Sequence, residues 1–323
     1  MVKFVVYKDN IYAVREEPYV GYPKQMIDDK IVETIPDDYE GWFPFMRFCY
    51  SFGDLGILSG MFEAMKKKWP KIKIAVPSNE YVEEMFGPQL SQWSYDQKSS
   101  SVTNLDQVWG NNPYIDYRFK KGDFETIFTD HERAFDHLVH DGETLRSCDE
   151  PLAFQIARRF GFTEEDLKNI DLNPKLYFTD EEIKRNDKLI KEFIGDREYG
   201  CLLFASRIEH LKGRWDDKLL LEVAERFKNK PVFYFSEFNL NETEWGDLFP
   251  EAHNFTDFNL SIRDQIYIKS KSNFQLSYQA GVTDASVGRS EEVHVLCPYP
   301  TIRENCIRGV NYYFFEGRKF KYE

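Results

Sequence analysis

Long apolar runs, internal repeats and paired cysteines are all missing from this 323-residue sequence. No stretch approaches the roughly 18–20 apolar residues of a membrane-spanning helix. Met1 to Asn10 carries too short an apolar run for a secretory leader, so the expected setting is cytoplasmic. The five cysteines (Cys49, Cys148, Cys201, Cys297, Cys306) form no CxxC pair. An odd, unpaired set argues against a disulfide scaffold and against a cysteine zinc site, and fits a reducing compartment. His131, His137 and His140 are spaced by six and three, which is not a zinc-binding pattern, so no metal is expected. No GxGxxG follows the first buried strand, which sets aside a Rossmann dehydrogenase. Positive charge is also short. Lys and Arg number 42 against 55 Asp and Glu, a net charge of −13. Avid, sequence-independent nucleic-acid binding draws on Lys and Arg at phosphates, so this balance disfavours it, though a local basic groove is compatible. Residues 121–180 hold 14 acidic and 7 basic side chains, the composition of a solvated acidic surface.

What is present is an ordinary globular composition with an unusual 16% of aromatic residues. At this length about two domains are expected, each able to bury its own core. Lys3–Tyr7 and Ile11–Val14 flank a Lys-Asp-Asn turn and predict a β-hairpin. Residues 17–41 read as a long irregular connection. Trp42–Tyr50 is a nearly continuous apolar run, suited to a strand buried on both faces. A glycine turn, Ser51 to Gly56, then leads into a helical pattern (Ile57, Met61, Ala64, Met65). Lys66, Lys67 and Lys68 stand in its last turn, where cations favour the helix dipole. Lys71–Val76 is the next strand. Strand, turn, helix and strand make a βαβ unit, hence a parallel sheet. Tyr114–Phe119 and Glu125–Phe128 read as further strands, and Pro151–Phe160 as a helix closed by Gly161. After a linker at Asp171–Lys175 a second α/β series begins. Thr179 with Glu182, and Ser261 with Asp264, are N-cap pairs opening helices. Asp216–Phe227 is a third helix. Strands are expected at Tyr199–Phe204, Pro231–Phe235, Phe274–Tyr278 and His294–Cys297, with a C-terminal hairpin over Tyr312–Tyr322.

Several of these stretches carry a family likeness. Gly53-Asp54-Leu55-Gly56, the helix ending in Lys66-Lys67-Lys68-Trp69-Pro70, Asn112-Pro113, Lys212-Gly213-Arg214-Trp215 and Gly281-Val282-Thr283-Asp284 together resemble glycosyltransferase family 9, the heptosyltransferase group. The resemblance spans roughly residues 42–300. It implies the GT-B type: two Rossmann-like α/β domains facing a cleft, here with extra N-terminal and C-terminal hairpins. Residues 1–174 would form the acceptor-binding domain and 175–323 the nucleotide-sugar domain. The His that usually follows the family's Asp-Ser/Thr-Gly turn has no counterpart here, so the sugar identity does not transfer.

The implied activity is inverting, metal-independent transfer of a sugar from a nucleotide-diphosphate sugar to a hydroxyl. The donor is a substrate, so no cofactor is expected. The acceptor would be a glycan, a lipid-linked sugar or a modified nucleobase. Each candidate residue has a plainer reading beside its chemical one. Asp54 sits in a turn that opens a helix. It is either the base that deprotonates the acceptor, the role the resemblance implies, or an ordinary N-cap. Gly53 shares its turn. Arg207, Lys212 and Arg214 fall within eight residues between a strand and a helix. Cations there either stabilise the departing diphosphate or form a solvated basic loop. Gly281, Thr283, Asp284 and Ser286 make a glycine turn whose N–H groups and hydroxyls suit phosphate. Glu237, just after a strand, suits the base or ribose. Asp130 and His131 come just after a strand and are acceptor-contact candidates, with His131 an alternative base, or else a polar loop. Two other functions share this architecture: a nucleotide-sugar epimerase and a non-catalytic nucleotide-sugar-binding protein.

Overall fold

A computed structural model of the chain describes residues 2–7, 10–15, 31–45, 55–56, 58–84, 105–124, 152–204, 218–235, 239–278, 290–297, 309–314 and 319–321. The chain divides into two compact units, Met1–Asn173 and Pro174–Glu323.

In unit 1 the described strands are β1 (Val2–Tyr7), β2 (Asn10–Arg15), β3 (Ile31–Val32), β4 (Trp42–Pro44), β5 (Lys73–Pro77) and β6 (Tyr117–Phe119). They form one sheet in the order β3-β1-β2-β4-β5-β6. β4, β5 and β6 are mutually parallel, as the βαβ pattern predicts. The hairpin β1–β2 is not an appendage. Asn10 of β2 pairs in parallel with Trp42 of β4, so the hairpin extends the same sheet. β3 pairs with β1 inside the stretch expected to be irregular; its two residues are too few for a periodic signal. The apolar run after Gly41 forms strand only to Pro44, with the Phe45 N–H still donating to the Ala75 carbonyl at 2.7 Å. Residues 46–50 and the strand expected at Glu125–Phe128 lie outside the described residues.

The helices of unit 1 are α1 (Met61–Lys68), α2 (Asp106–Trp109), α3 (Leu152–Phe160) and α4 (Glu164–Asn169). Its core explains much of the aromatic content. Phe43 and Phe45, two apart on β4's path, face the same side and meet Phe62, Trp109 and Phe160 with ring centroids 5.1–6.4 Å apart, mostly edge to face. The three lysines ending α1 each find an acid. Lys66 reaches Asp116 and Lys67 reaches Glu63, both at 2.6 Å, and Lys68 reaches Asp166 at 2.8 Å. Gly161 closes α3 at φ +108°, with Phe162 N–H on the Ala157 carbonyl and its own N–H on that of Arg158. That is the six-to-one and five-to-two pairing for which a left-handed glycine is suited.

Unit 2 contains α5 (Asp180–Phe193), β7 (Gly200–Leu203), α6 (Lys218–Ala224, continued by a 3-10 turn over Glu225–Phe227), β8 (Val232–Phe235), α7 (Glu244–Leu248), β9 (Ala252–Asn254), α8 (Ile262–Ser270), β10 (Phe274–Tyr278), β11 (Glu292–Cys297), β12 (Asn311–Phe314) and β13 (Lys319–Lys321). Both capping boxes read from sequence are formed, at Thr179/Glu182 and Ser261/Asp264. The sheet order is β13-β12-β11-β10-β7-β8-β9, parallel throughout except for the terminal β12–β13 hairpin. Alternate residues serve two cores. Leu202, Phe204, Val232 and Tyr234 face α6 and α7. Cys201, Leu203 and Phe233 face the opposite layer, with Ile268 of α8 and Ile194 after α5. α5 is tied to α8 by polar bonds: Tyr267 to Asp187 at 2.7 Å, Asn186 to Asp264 at 2.7 Å, and Arg263 to Glu182 at 2.5 and 2.9 Å. Among the described residues no helix is long and apolar enough to cross a membrane.

Candidate functional site

The strand order of unit 2 has one reversal. From β7 the chain builds outward through β8 and β9, then returns to place β10 on β7's other side and continues through β11 and β12. This is the doubly wound order 3-2-1-4-5-6, and ligands in such sheets bind beyond the carboxyl ends of the strands where the order reverses. The reversal lies between β7 and β10, whose register pairs Phe274 with Gly200 and Ser277 with Leu203. The chain leaves these two strands after Phe204 and Tyr278. β7 leads into the segment with Arg207, Lys212 and Arg214, and β10 into the segment with Gly281, Thr283, Asp284 and Ser286. Glu237 comes two residues after the end of β8, next to β7. Those eight residues, with Gly53, Asp54, Asp130 and His131 of unit 1, lie outside the described residues.

A cavity of about 230 Å³ lies between α8 and the strands β7 and β8. Leu203 and Phe235, the last residues of β7 and β8, form one wall with Phe255. The other wall is α8, through Ile262, Gln265, Ile266 and Lys269. Their spacing of three, four and seven puts all four on one helix face. Two of them are polar, at positions an amphipathic helix would fill with apolar groups. Lys269 is only 2% exposed. Its ammonium lies close enough to the fully buried Cys201 to act on that thiol, which burial nonetheless pushes up to about 12. The end of α8 is fixed just before the amino ends of β10 and β11, because the Lys269 carbonyl accepts from Ser272 Oγ at 2.7 Å and Ser290 Oγ at 3.0 Å. Gln265 is half-buried, and its Nε2 donates to the Leu260 carbonyl at 3.3 Å.

In unit 1 the described chain resumes one residue after Asp54. Leu55 is fully buried, and its carbonyl accepts a 2.9 Å hydrogen bond from the indole N–H of Trp109. Ser59 closes the same turn, its hydroxyl on the Gly56 carbonyl at 2.7 Å. At Gly60 there is no room for a side chain: a Cβ would stand 2.3 Å from the Asn173 carbonyl oxygen. The stretch from Asn112 to Asp116 proves to be a bracing turn. Asn112 Oδ1 accepts from the Tyr114 N–H at 3.0 Å, and Asp116 accepts from both the Ile74 N–H and Lys66, each at 2.6 Å. Among the described residues no three His, Cys, Asp or Glu side chains cluster as metal ligands would.

No protein-family profile matches the chain. No curated protein matches it either. Solved structures do. A glycosyl transferase family 9 protein from Veillonella parvula DSM 2008 is 12% identical, over 87% of this chain and 88% of that one, with a TM-score of 0.49. The ADP-heptose LPS heptosyltransferase II of E. coli is 11% identical, over 85% of this chain and 92% of that one, with a TM-score of 0.44.

Three residues of these surroundings were not singled out by sequence reasoning: Trp109, Gln265 and Lys269. Trp109 carried no signal, because an aromatic in a short polar-flanked segment reads as core. Gln265 and Lys269 carried one. They interrupt the apolar stripe Ile262, Ile266 on a helix whose N-cap was already legible.

Proposed function

We propose that the protein is an inverting glycosyltransferase that uses a nucleotide-diphosphate sugar without a divalent ion. Unit 2 binds the donor, and unit 1 supplies the acceptor contacts and the base. The observation that carries this reading is the strand order of unit 2, whose single reversal lies between the two strands that lead into the Arg207–Arg214 and Gly281–Ser286 segments. A cationic segment and a glycine-hydroxyl segment beside one crevice are complementary to a diphosphate.

In the reaction Asp54 takes the proton of the acceptor hydroxyl. The freed oxygen pair attacks the anomeric carbon from the face opposite the leaving group. The anomeric C–O bond breaks, and its electrons depart on the nucleoside diphosphate. Arg207, Lys212 and Arg214 offset the charge that grows on that diphosphate. Asp130, His131 and Gly53 are acceptor contacts, Glu237 holds the ribose or base, and Asp284 caps the glycine turn or holds sugar hydroxyls. The cationic segment takes the place of a metal. The sequence has no Asp-x-Asp motif of the kind by which many sugar transferases hold a divalent ion. Turnover should therefore survive EDTA; abolition by chelator and restoration by Mg²⁺ or Mn²⁺ would overturn the metal-free step.

Calorimetric titration of nucleoside diphosphates tests the donor site. Lys212→Ala and Arg214→Ala should each weaken binding about 10–100-fold, the scale of one charge-assisted contact, with the double variant close to inactive. A solvated basic loop would instead show effects below about 0.5 kcal/mol. Unchanged affinity in both variants removes this segment from the site.

A further inference from the structure

We infer that Trp109 is a positioning residue for the base: its indole N–H, by holding the carbonyl of Leu55, fixes the turn from which Asp54 acts. This rests on the base role proposed above and deepens it.

The contact is buried on both sides. Leu55 and Trp109 are both 0% exposed, and Trp109 Nε1 donates to the Leu55 carbonyl at 2.9 Å across 54 positions of sequence. Trp69 is just as buried, and its indole nitrogen has no hydrogen-bond partner. At Trp69 the ring fills the core. At Trp109 a ring of the same size also ties two distant segments together through its polar edge.

The surroundings of Trp109 hold that N–H still. Its ring meets Phe62 at 5.1 Å and Phe45 at 6.0 Å, both edge to face. α2 has only four residues, yet it is pinned at both ends. Before it, Asn79 Oδ1 accepts from the Leu105 N–H at 2.8 Å, and Asn79 Nδ2 donates to Asp106 at 2.9 Å. After it, Arg118 of β6 donates to the Trp109 carbonyl at 2.8 Å. The far side of the held turn is fixed locally. Ser59 places its N–H at 3.0 Å and its hydroxyl at 2.7 Å on the Gly56 carbonyl. The near side, next to Asp54, is fixed by Trp109. The Cα of Asp54 is one peptide unit, about 3.8 Å, from that of Leu55, so play at Leu55 passes directly to the base. A base must stand within hydrogen-bond reach of the proton it takes. A misplacement of about 1 Å can cost on the order of 10²-fold in rate.

The test is Trp109→Phe, which removes the N–H and keeps an aromatic ring, with Trp69→Phe as the control for lost ring volume. Hydrogen exchange followed by mass spectrometry should show the Leu55–Gly60 amides exchanging at least about tenfold faster in Trp109→Phe and unchanged in Trp69→Phe. Turnover is read as diphosphate release from UDP-glucose, GDP-mannose, ADP-glucose and CDP-glucose, with glycerol as the hydroxyl probe. In Trp109→Phe kcat should fall about 10–100-fold with donor KM within about twofold, and in Trp69→Phe neither should move. In an Asp54→Asn background Trp109→Phe should cost no further turnover, because the two residues act as one unit. Melting curves restrict each comparison to folded protein. Unchanged exchange at Leu55–Gly60, or turnover within threefold of wild type while Asp54→Asn is slow, overturns this inference and leaves the base reading intact. An equal loss from Trp109→Phe in both backgrounds makes Trp109 a merely structural residue and overturns it as well. Wild-type turnover in Asp54→Asn, or no diphosphate release by the wild type from any of the four donors, overturns the reading of the site and this inference together.

Discussion

At the amino end of the seven-stranded sheet, polar side chains close on one another; toward the carboxyl end, apolar ones line a cavity. Glu292 opens β11 and accepts from Arg226 at 2.9 Å. Its carboxylate also meets His294 Nε2 at 2.8 Å, and His294 Nδ1 meets the Tyr313 hydroxyl at 2.8 Å. Beside this chain Phe274 lies between Gly200 and Glu292 in the register and stacks on Phe227 with centroids 4.1 Å apart. The fit is close enough that a Cβ on Gly200 would stand 2.1 Å from the Phe274 ring, so only glycine starts β7. At the carboxyl ends of β7 and β8, Leu203 and Phe235 instead line a cavity against α8. A closed network contributes to holding strands together. In a sheet of this winding ligands bind beyond the carboxyl ends of the strands. Substitutions at the two ends should therefore separate stability from turnover.

The largest separation is expected for Asp54 of unit 1. Asp54→Asn should lower turnover about 10²–10⁴-fold while donor binding and melting temperature hold, because a base acts in the transition state and not on the bound donor. Single-turnover kinetics with calorimetry on the same sample gives both numbers. Wild-type turnover would remove Asp54 from the mechanism. A large fall in melting temperature with turnover per folded molecule retained would make it a helix cap. Trp109 holds the carbonyl of the very next residue, so the turn is braced whichever role Asp54 plays.

The amino end should show the reverse. Phe274→Ala removes a 2% exposed ring from between two strands and should cost about 3–5 kcal/mol, read from the urea midpoint. Nucleoside diphosphate affinity of the folded fraction should stay within about twofold. A parallel loss of affinity would mean that the two ends of the sheet are coupled, and the contrast drawn between them would fail.

How much of this was legible beforehand differs between the ends in the same way. The helix starts at Thr179 and Ser261 were readable because a cap and its third residue form a local code, and Phe274–Tyr278 was readable because Phe, Leu and Tyr alternate with Gln and Ser, the period of two that marks a strand. β9 and α7 were missed. Ala252–Asn254 has three half-buried residues and no periodicity, and Glu244–Leu248 is barely more than one turn. The candidate residues themselves were reached through strand ends and family motifs. The cavity was not, since it depends on α8 meeting β7 and β8, about 60 and about 30 residues away in sequence, which no local pattern encodes.

The smallest expected effect concerns His294, and it sharpens the contrast because it is a pH effect on stability alone. Burial holds the imidazole's pKa below its ordinary value and outweighs the opposing pull of Glu292, while Arg226 and Lys319 add to the lowering. Glu292 is itself pushed up by burial but held low on balance by its bonds to His294 and Arg226. The folded protein therefore keeps His294 neutral where the unfolded chain, near pH 6.5, already takes up a proton. Below that point the unfolded state binds more protons, so stability falls with pH toward the lowered folded value, by at most about 1.4 kcal/mol per pH unit for one proton. Glu292 enters only further down, in the carboxylate range, and in the same direction. Urea midpoints between pH 5 and 7 should fall on acidification, and His294→Gln should flatten that slope by the share of one proton. Other groups titrate in the same window, so the readout is the difference between the two slopes. Equal slopes would mean that His294 gains its proton as readily in the folded protein as in the unfolded chain, and that the amino-end network tolerates a charge its burial argues against.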